Sequence, residues 1–179
     1  DQARHILSRW DWSLDGRGEG DALALMVLRP ANREHYLRTG VEPDAEAILT
    51  EAATHLLTHF HTLDPPLGDV LRLRQGEGAS RVDLPLDGGN DTLRASTLWD
   101  VDDDGRFSVR HGDSFIMFVR WDRDGTVHSE SIQPFGSATT RPASPHHTDQ
   151  ARLFVQHRLK PVLFDRAAFL ATRPHFYRP

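Results

Sequence analysis

The spacing of apolar residues is helical over the first 75 positions of the chain. In the opening segment, apolar residues recur at intervals of three and four, at Ala3, Ile6, Leu7 and Trp10. Residues 21–29 form an apolar segment that we interpret as a helix ended by Pro30. The longest helix is predicted to open at 43–46 and to be ended by Pro65-Pro66, and its apolar stripe consists of Leu49, Ala53, Leu56, Leu57 and Phe60.

Between residues 80 and 135 the pattern changes to short β-rich runs separated by turn residues. Two successive hairpins are predicted: 96–101 with 106–110 around the turn 102–105, and 114–121 with 126–133 around the turn 122–125. Residues 115–119 are apolar at both alternating sets of positions. We therefore expect this strand to lie in the interior of a sheet and not at its rim.

The last part of the chain, 144–179, is predicted to form a C-terminal helix and a tail. Ser144 is suited to cap a helix, Pro145 fits a first helical turn, and apolar residues follow at Leu153, Phe154 and Leu159. The whole pattern predicts an α+β fold, with 1–75 mainly helical and 80–135 mainly strands. No internal repeat or linker divides the chain, so we expect a single segment.

Composition excludes several classes of protein. The 179 residues carry a net charge of −5 and no run of basic residues, which argues against nucleic-acid binding. No apolar run approaches the roughly 18 residues that cross a bilayer. The chain has no cysteine, so disulfides, thiolate nucleophiles and cysteine-ligated zinc are excluded within it.

Five stretches of the sequence have a more specific character. Residues 63–76 read LDPPLGDVLRLRQG, residues 82–89 and 112–116 follow, and Pro134-Phe135-Gly136-Ser137 then precedes the run 144–150, SPHHTDQ. In their residues and in their order these stretches resemble the closing part of the large subunit in the penicillin acylase family of N-terminal nucleophile hydrolases. The likeness is greatest to the acyl-homoserine lactone acylase branch.

The resemblance implies a four-layer αββα sandwich, of which this chain would be a C-terminal part. Such enzymes deacylate amides such as N-acyl-homoserine lactones or penicillins with a serine that becomes a new amino terminus, and the free amine acts as the base. The chain begins with Asp1, inside a helical pattern, and resembles a segment downstream of the family's nucleophile, oxyanion-stabilising asparagine and calcium ligands. No catalytic residue, substrate-binding residue, metal ligand or cofactor is therefore assigned to it.

The resemblance also implies partners and a location. The expected partners are the other chains of the same processed precursor, which are a small subunit and the part of the large subunit that bears the nucleophile. A small acyl amide would be the substrate, and neither nucleic acid nor membrane is expected to bind. The family favours a periplasmic or secreted location. This chain alone is not expected to be active.

An acidic run, Asp100-Val101-Asp102-Asp103-Asp104-Gly105, has the opening spacing of a calcium loop. The match then fails, because the twelfth position is His111 where such loops have a bidentate glutamate. The flanking residues also read as strands where the motif needs helices. An acidic hairpin turn is the simpler interpretation.

Two groups of histidines could ligate a metal. Glu51, His55 and His59 follow one another at intervals of four along the long helix, but a solvated polar flank explains them more simply. His146 and His147 follow Ser144, where a structural cap completed by Asp149 is favoured over a metal site or a catalytic base.

Other patterns carry less information. No nucleophile elbow supports a serine–histidine–aspartate triad, and Gly112-Asp113-Ser114 lies before a strand. Gly76-Glu77-Gly78 and Gly88-Gly89 lack the remaining parts of a phosphate loop. Four tryptophans could line a ligand groove, although packing is their more common role: Trp10, Trp12, Trp99 and Trp121. The acidic run and these tryptophans leave one alternative function. It is a non-catalytic β-rich module that binds calcium through the acidic turn or a ligand through the tryptophans.

Overall fold

The structure of the chain is a computed structural model that describes residues 1–90, 92–98 and 100–174, without the side chain of Tyr36. Helices and strands are both present, so the α+β prediction is confirmed. The six α-helices of the described residues are α1 (Gln2–Arg9), α2 (Asp21–Leu37), α3 (Ala45–Phe60), α4 (Leu67–Val70), α5 (Ala151–Val155) and α6 (Arg166–Ala171).

Helix α3 begins where the sequence predicts. The side chain of Asp44 accepts hydrogen bonds of 3.0 Å from the amides of Glu46 and Ala47, which otherwise lack partners at a helix start. The helix ends at Phe60, before the predicted Pro65-Pro66 stop, because His61 takes a left-handed conformation with φ 58°.

The apolar stripe of α3 is shifted from the predicted one. Ala52 and Leu56 are its buried members, whereas Leu57 is 49% exposed.

The prediction that Pro30 ends the second helix is wrong, because α2 continues to Leu37. A proline within a helix removes one amide donor, so the carbonyl of Met26 loses its usual partner. Residues 21–26 are fully buried and α2 packs against α3, so tertiary contacts hold the helix across this position. With 17 residues, α2 is also longer than α3, which has 16.

The strands of the described residues form three small sheets. In the first sheet, β1 lies between β2, which is antiparallel to it, and β4, which is parallel. The second sheet pairs β3 with β5, and the third has the order β6-β7-β8. Their bounds are β1 (Leu71–Gln75), β2 (Val82–Pro85), β3 (Ser96–Thr97), β4 (Phe107–Ser108), β5 (His111–Gly112), β6 (Ile116–Trp121), β7 (Val127–Ile132) and β8 (Lys160–Pro161).

The first predicted hairpin is only partly formed. Its turn exists, since the amide of Gly105 donates to the carbonyl of Asp102 and the amide of Asp102 donates to the carbonyl of Arg106. The strands after the turn find other partners, however: β4 joins β1, and β5 joins β3. The stretch from β3 to β5 therefore bridges two sheets and does not form a simple hairpin.

The second hairpin, β6 with β7, is confirmed over six residue pairs from Ile116↔Ile132 to Trp121↔Val127. The prediction that its first strand is interior is wrong. In this sheet β6 is an edge strand, because β7 uses its other side to pair with β8. Phe118 is 63% exposed and Trp121 is 67% exposed, on opposite faces of the strand.

The helix predicted to start at Ser144 begins later, at Ala151. The hydroxyl Oγ of Ser144 accepts a hydrogen bond from the amide of His146 at 3.2 Å, but residues 144–150 form consecutive turns. Two short helices and β8 then occupy the stretch predicted as one helix and a tail. The tail residues 175–179 lie outside the described residues.

One hydrophobic core joins the helices to the first sheet. Its fully buried members come from α2, α3, α4, β1, β4 and the loop after β3, and include Leu23, Leu56, Leu67, Val70, Leu71, Leu98 and Phe107. Helix α5 adds Phe154 from the C-terminal end. The described parts of both ends of the chain thus contribute to a single packed unit.

Candidate functional site

The segment 134–150, which carries the most specific motif, folds back on itself. The amide of Gly136 donates to the carbonyl of His147 at 2.6 Å, and the amide of Ala138 donates to the carbonyl of His146 at 3.2 Å. A Cβ atom on Gly136 would lie 2.0 Å from the carbonyl oxygen of His146. Only glycine allows this close approach of two backbones.

This folded segment is tied to the first sheet by hydrogen bonds around the short 3₁₀ helix Gly78–Ser80. The carbonyl of Pro142 accepts from the amide of Glu77 at 3.0 Å and from the hydroxyl of Ser80. The hydroxyl of Thr148 donates to the carbonyl of Ser80 at 2.8 Å. Residues 134–150, which we call the terminal clamp, therefore connect the end of the strand-rich region to its beginning.

A cavity of about 350 Å³ lies beside this clamp, between β1, the β3–β5 pair and α5. Its apolar wall includes Leu73, Leu86, Val109, Phe135 and Phe154. Among the polar side chains that also line it, Gln75 and Asp113 each have a buried oxygen without a hydrogen-bond partner in the described structure, Oε1 and Oδ2 respectively.

An ion-pair network adjoins Phe154 in the wall of the cavity. Arg94 Nε lies 2.5 Å from Asp87 Oδ1, and Arg94 Nη2 donates to the carbonyl of Phe154 at 2.7 Å. His157 Nε2 lies 2.5 Å from the other oxygen of Asp87. Burial lowers the pKa of Arg94, and the nearby carboxylate of Asp87 opposes that shift. The network fixes α5 against the loop before β3, and no sequence motif indicated it.

The acidic run 100–105 uses its carboxylates for internal ion pairs. Arg74 Nη1 lies 2.9 Å from Asp102 Oδ2, Arg74 Nη2 lies 2.5 Å from Asp104 Oδ2, and Ser108 Oγ donates to Asp102. The hydrogen bond from Arg74 holds the pKa of Asp104 well below its usual range. Because guanidinium groups occupy these oxygens, the structure supports the acidic turn and not the calcium loop.

His55 and His59 lie close together on α3, with ring centroids 4.5 Å apart. His55 is not on a solvated flank, which corrects the sequence interpretation. It is half-buried with its ring 5.7 Å from Phe107, and its Nε2 lies 2.8 Å from the carbonyl of Gly105. Burial lowers the pKa of His55. Within the part of the chain that the structure describes, no group of three metal-ligating side chains is found.

The histidines of the terminal motif have structural contacts. His146 Nδ1 lies 3.0 Å from Asp149 Oδ2, and His147 Nδ1 lies 2.9 Å from the carbonyl of Ala138. The first contact closes the turn that follows Ser144, and the second stabilises the folded-back backbone of the terminal clamp.

Three histidine–aspartate pairs occur in the described residues: His128 with Asp122, His146 with Asp149 and His157 with Asp87. Within the same residues, no serine hydroxyl is hydrogen-bonded to any of these three imidazoles. Ser114 lies at the cavity without such a partner. The described structure therefore contains pairs of this kind but no assembled triad.

The tryptophans do not share a groove in the described structure. Trp10 and Trp12 lie 5.1 Å apart, and Trp10 Nε1 donates to the carbonyl of Ser13 at 2.6 Å. Trp12 is 84% exposed, and Trp121 lies on the edge strand β6. Trp99 lies outside the described residues.

The largest feature that the sequence analysis missed is an exposed apolar surface on the third sheet and the segment that follows β8. We call it the hairpin surface, and its residues are Phe115, Met117, Phe118, Val119, Trp121, Val127, Leu163, Phe164, Phe169 and Leu170. The apolar content of β6 was visible in the sequence, but its exposure depends on strand order. No helix in the described residues has the length and apolar character to cross a membrane.

Comparison with known families places this α+β chain among hydrolases that act on amides. The family model described as penicillin amidase matches residues 7–171. This match spans most of the chain, which belongs to the penicillin amidase family. No curated protein matches the sequence. Family membership supports an acylase-type amidohydrolase and agrees with an N-terminal nucleophile hydrolase fold.

Proposed function

We propose that this chain is a C-terminal part of the large subunit of an acylase and completes its scaffold. The reaction is the deacylation of N-acyl-homoserine lactones or penicillins by a serine at the amino terminus of a neighbouring polypeptide. That serine attacks the amide carbonyl, an acyl-enzyme forms as the amine leaves, and water then releases the acid. The residues described here support that site without taking part in the chemistry.

The hairpin surface is the observation that carries this proposal. Its apolar side chains lie on both faces of β6, and the outer edge of β6 has backbone groups without strand partners in the described structure. Exposed apolar patches of this kind mark surfaces that other protein segments cover. An unpaired edge is also a template for a further strand. Strands from the other chains of the same processed precursor would satisfy both needs.

The arrangement of potential catalytic groups agrees with a supporting role. The three histidine–aspartate pairs of the described residues hold turns and a helix in place. The acidic turn is neutralised by arginines. These observations favour a nucleophile elsewhere and do not favour the alternative of a calcium-binding module.

The experiment is isolation of the protein from its source without denaturation, followed by intact-mass analysis and amino-terminal sequencing of every polypeptide present. We expect a companion polypeptide that begins with serine. A serine-directed sulfonyl fluoride should label that companion and leave this chain unlabelled. A chain that purifies alone and hydrolyses an acyl amide would contradict the proposal.

A pair of variants tests the surface itself. Phe118→Arg places a charge on the hairpin surface, whereas Leu57→Arg places the same charge on an exposed apolar position of α3. We expect only the first variant to reduce the amount of companion polypeptide that copurifies. Equal loss in both variants would show that the hairpin surface has no special role.

The substrate and the location are further parts of the proposal. Release of fatty acid from an N-acyl-homoserine lactone, compared with release of side-chain acid from a penicillin, distinguishes the two substrate classes. We also propose a periplasmic or secreted location, which fractionation of the source cells would test.

A further inference from the structure

The cavity beside the terminal clamp has a composition that suits a small ligand. Its volume of about 350 Å³ lies within the usual range for ligand pockets, at the small end. Leu73, Leu86 and Phe154 give it an apolar wall, and they belong to the hydrophobic core. His111 and Ser114 on its rim are exposed, so a small molecule can enter from the β5 side.

The polar groups of the cavity need hydrogen-bond donors. Oε1 of Gln75 and Oδ2 of Asp113 are both buried, and both lack a partner in the described structure. A buried acceptor without a donor costs free energy, and a carboxylate oxygen costs more than a neutral one. Because water does not reach either oxygen, a ligand gains these contacts by drawing the two side chains toward the cavity, where its N–H groups remove that cost.

The nearby arginines do not form a hydrogen bond with Oδ2 of Asp113. Arg94 lies close enough for its charge to interact with Asp113, but its guanidinium is hydrogen-bonded to the carbonyl of Phe154 and paired with Asp87. Arg110 also lines the cavity, and its Nη2 lies 3.4 Å from Asp102 Oδ1, on the side of the acidic turn. The amide of Asp113 is bonded to the carbonyl of Ala95 at 3.0 Å, which fixes the backbone that carries the carboxylate.

We propose that this cavity binds a small amphipathic amine, with an aromatic or short alkyl body against the apolar wall and an ammonium group donating to Asp113 and Gln75. Binding of the amine at these residues does not depend on the proposed acylase function. The amine binds reversibly, and no bond is made or broken.

The test is calorimetric titration of the intact protein, with any chains that copurify, at pH 8. At that pH an alkyl ammonium is charged and ordinary histidines are neutral. The probes are benzylamine, benzamide and benzoate, which share a ring and differ in the polar group. We expect benzylamine to bind most tightly, benzamide more weakly, and benzoate not measurably.

Two variants locate the binding. Asp113→Asn removes the charge and should weaken benzylamine about tenfold while leaving benzamide nearly unchanged. Ala95→Leu fills part of the cavity and should abolish binding of both. Asp122→Asn, in the exposed turn of the β6–β7 hairpin, is the matched control and should change neither affinity.

Thermal unfolding of each variant checks that its fold is retained. The wild-type order of affinities tests the proposal even where a variant does not fold. Benzoate binding as tightly as benzylamine, or no binding of benzylamine at millimolar concentration, would overturn it. So would an Asp113→Asn protein that folds and keeps full affinity for benzylamine.

Discussion

The first and third sheets each contain three strands, yet they bury their apolar residues very differently. In the first sheet, Leu71 and Leu73 of β1 are covered by helices and belong to the core. In the third sheet, Phe118 and Trp121 of β6 are largely exposed. β1 has only two apolar residues and buries both, whereas β6 has five and leaves four of them exposed, so apolar content alone does not determine burial. The difference lies in what the described chain provides to cover each sheet.

The strongest way to test this comparison is a matched pair of phenylalanine truncations. Phe107→Ala in β4 should lower the free energy of unfolding by about 3–5 kcal/mol, because it leaves a cavity in a fully buried site. Phe118→Ala in β6 should change it by less than about 0.5 kcal/mol in the absence of partner chains. Urea denaturation of the two variants measures both values. Similar losses would show that the hairpin surface is packed within this chain in solution.

The junction between the two regions should be nearly as sensitive. Gly136→Ala places a Cβ atom against the carbonyl of His146, and we expect a loss of about 1–3 kcal/mol as the clamp is forced apart. Ser137→Ala, at the exposed neighbouring position, is the control and should be nearly neutral. Urea denaturation again provides the measurement. A Gly136→Ala protein that unfolds at the same urea concentration as the wild type would contradict a stabilising role of the terminal clamp.

The ion pairs on the first sheet should contribute less than its core. Arg74→Met removes the shared partner of Asp83, Asp102 and Asp104, and we expect a loss of about 1.5–3 kcal/mol near pH 7.

This contribution should also depend on pH. The hydrogen bond from Arg74 depresses the pKa of Asp104 in the folded state, so the unfolded state takes up protons more readily in acid. The stabilisation is therefore complete above the ordinary aspartate pKa of about 4 and is lost as pH falls through the folded value. Denaturation from pH 7 to pH 3 should show the wild type and Arg74→Met converging. A constant difference would contradict the role of these carboxylates.

The smallest expected effect concerns His55, where α3 meets the acidic turn. Burial lowers its pKa in the folded state, so the unfolded state binds the proton more readily and stability falls as pH decreases from about 7 to 5. Arg29 and His59 lower the pKa further, while the hydrogen bond to Gly105 and the charge of Glu51 oppose them. His55→Gln should flatten this part of the stability profile. His111→Gln, at an exposed position outside this contact, is the control and should leave the profile as it is.

Local signals in the sequence predicted much of the fold. Asp44 caps α3, the turns 102–105 and 122–125 form, and β6 pairs with β7. These features depend on a few neighbouring residues, which is why a sequence pattern can reveal them. The family resemblance likewise depended on several short runs of residues between 63 and 150 and was supported by the match over residues 7–171.

The errors concern interactions between distant parts of the chain. Pro30 does not end α2 because packing against α3 outweighs the loss of one hydrogen bond. β6 is exposed because strand order, which local pattern does not encode, leaves it at an edge. The cavity was missed because Gln75 and Asp113 are 38 residues apart and meet only in the folded chain.

The proline within α2 divides that helix into two parts that differ in their resistance to local unfolding. Residues 21–26 are fully buried, whereas Leu37 at the far end is exposed. Since Pro30 has no amide hydrogen, the last two turns can fray without breaking a bond at that position. In amide exchange, the first half of α2 should report global unfolding and the second half much smaller openings. Packing thus holds the first half of this continuous helix, whereas its second half can unfold locally.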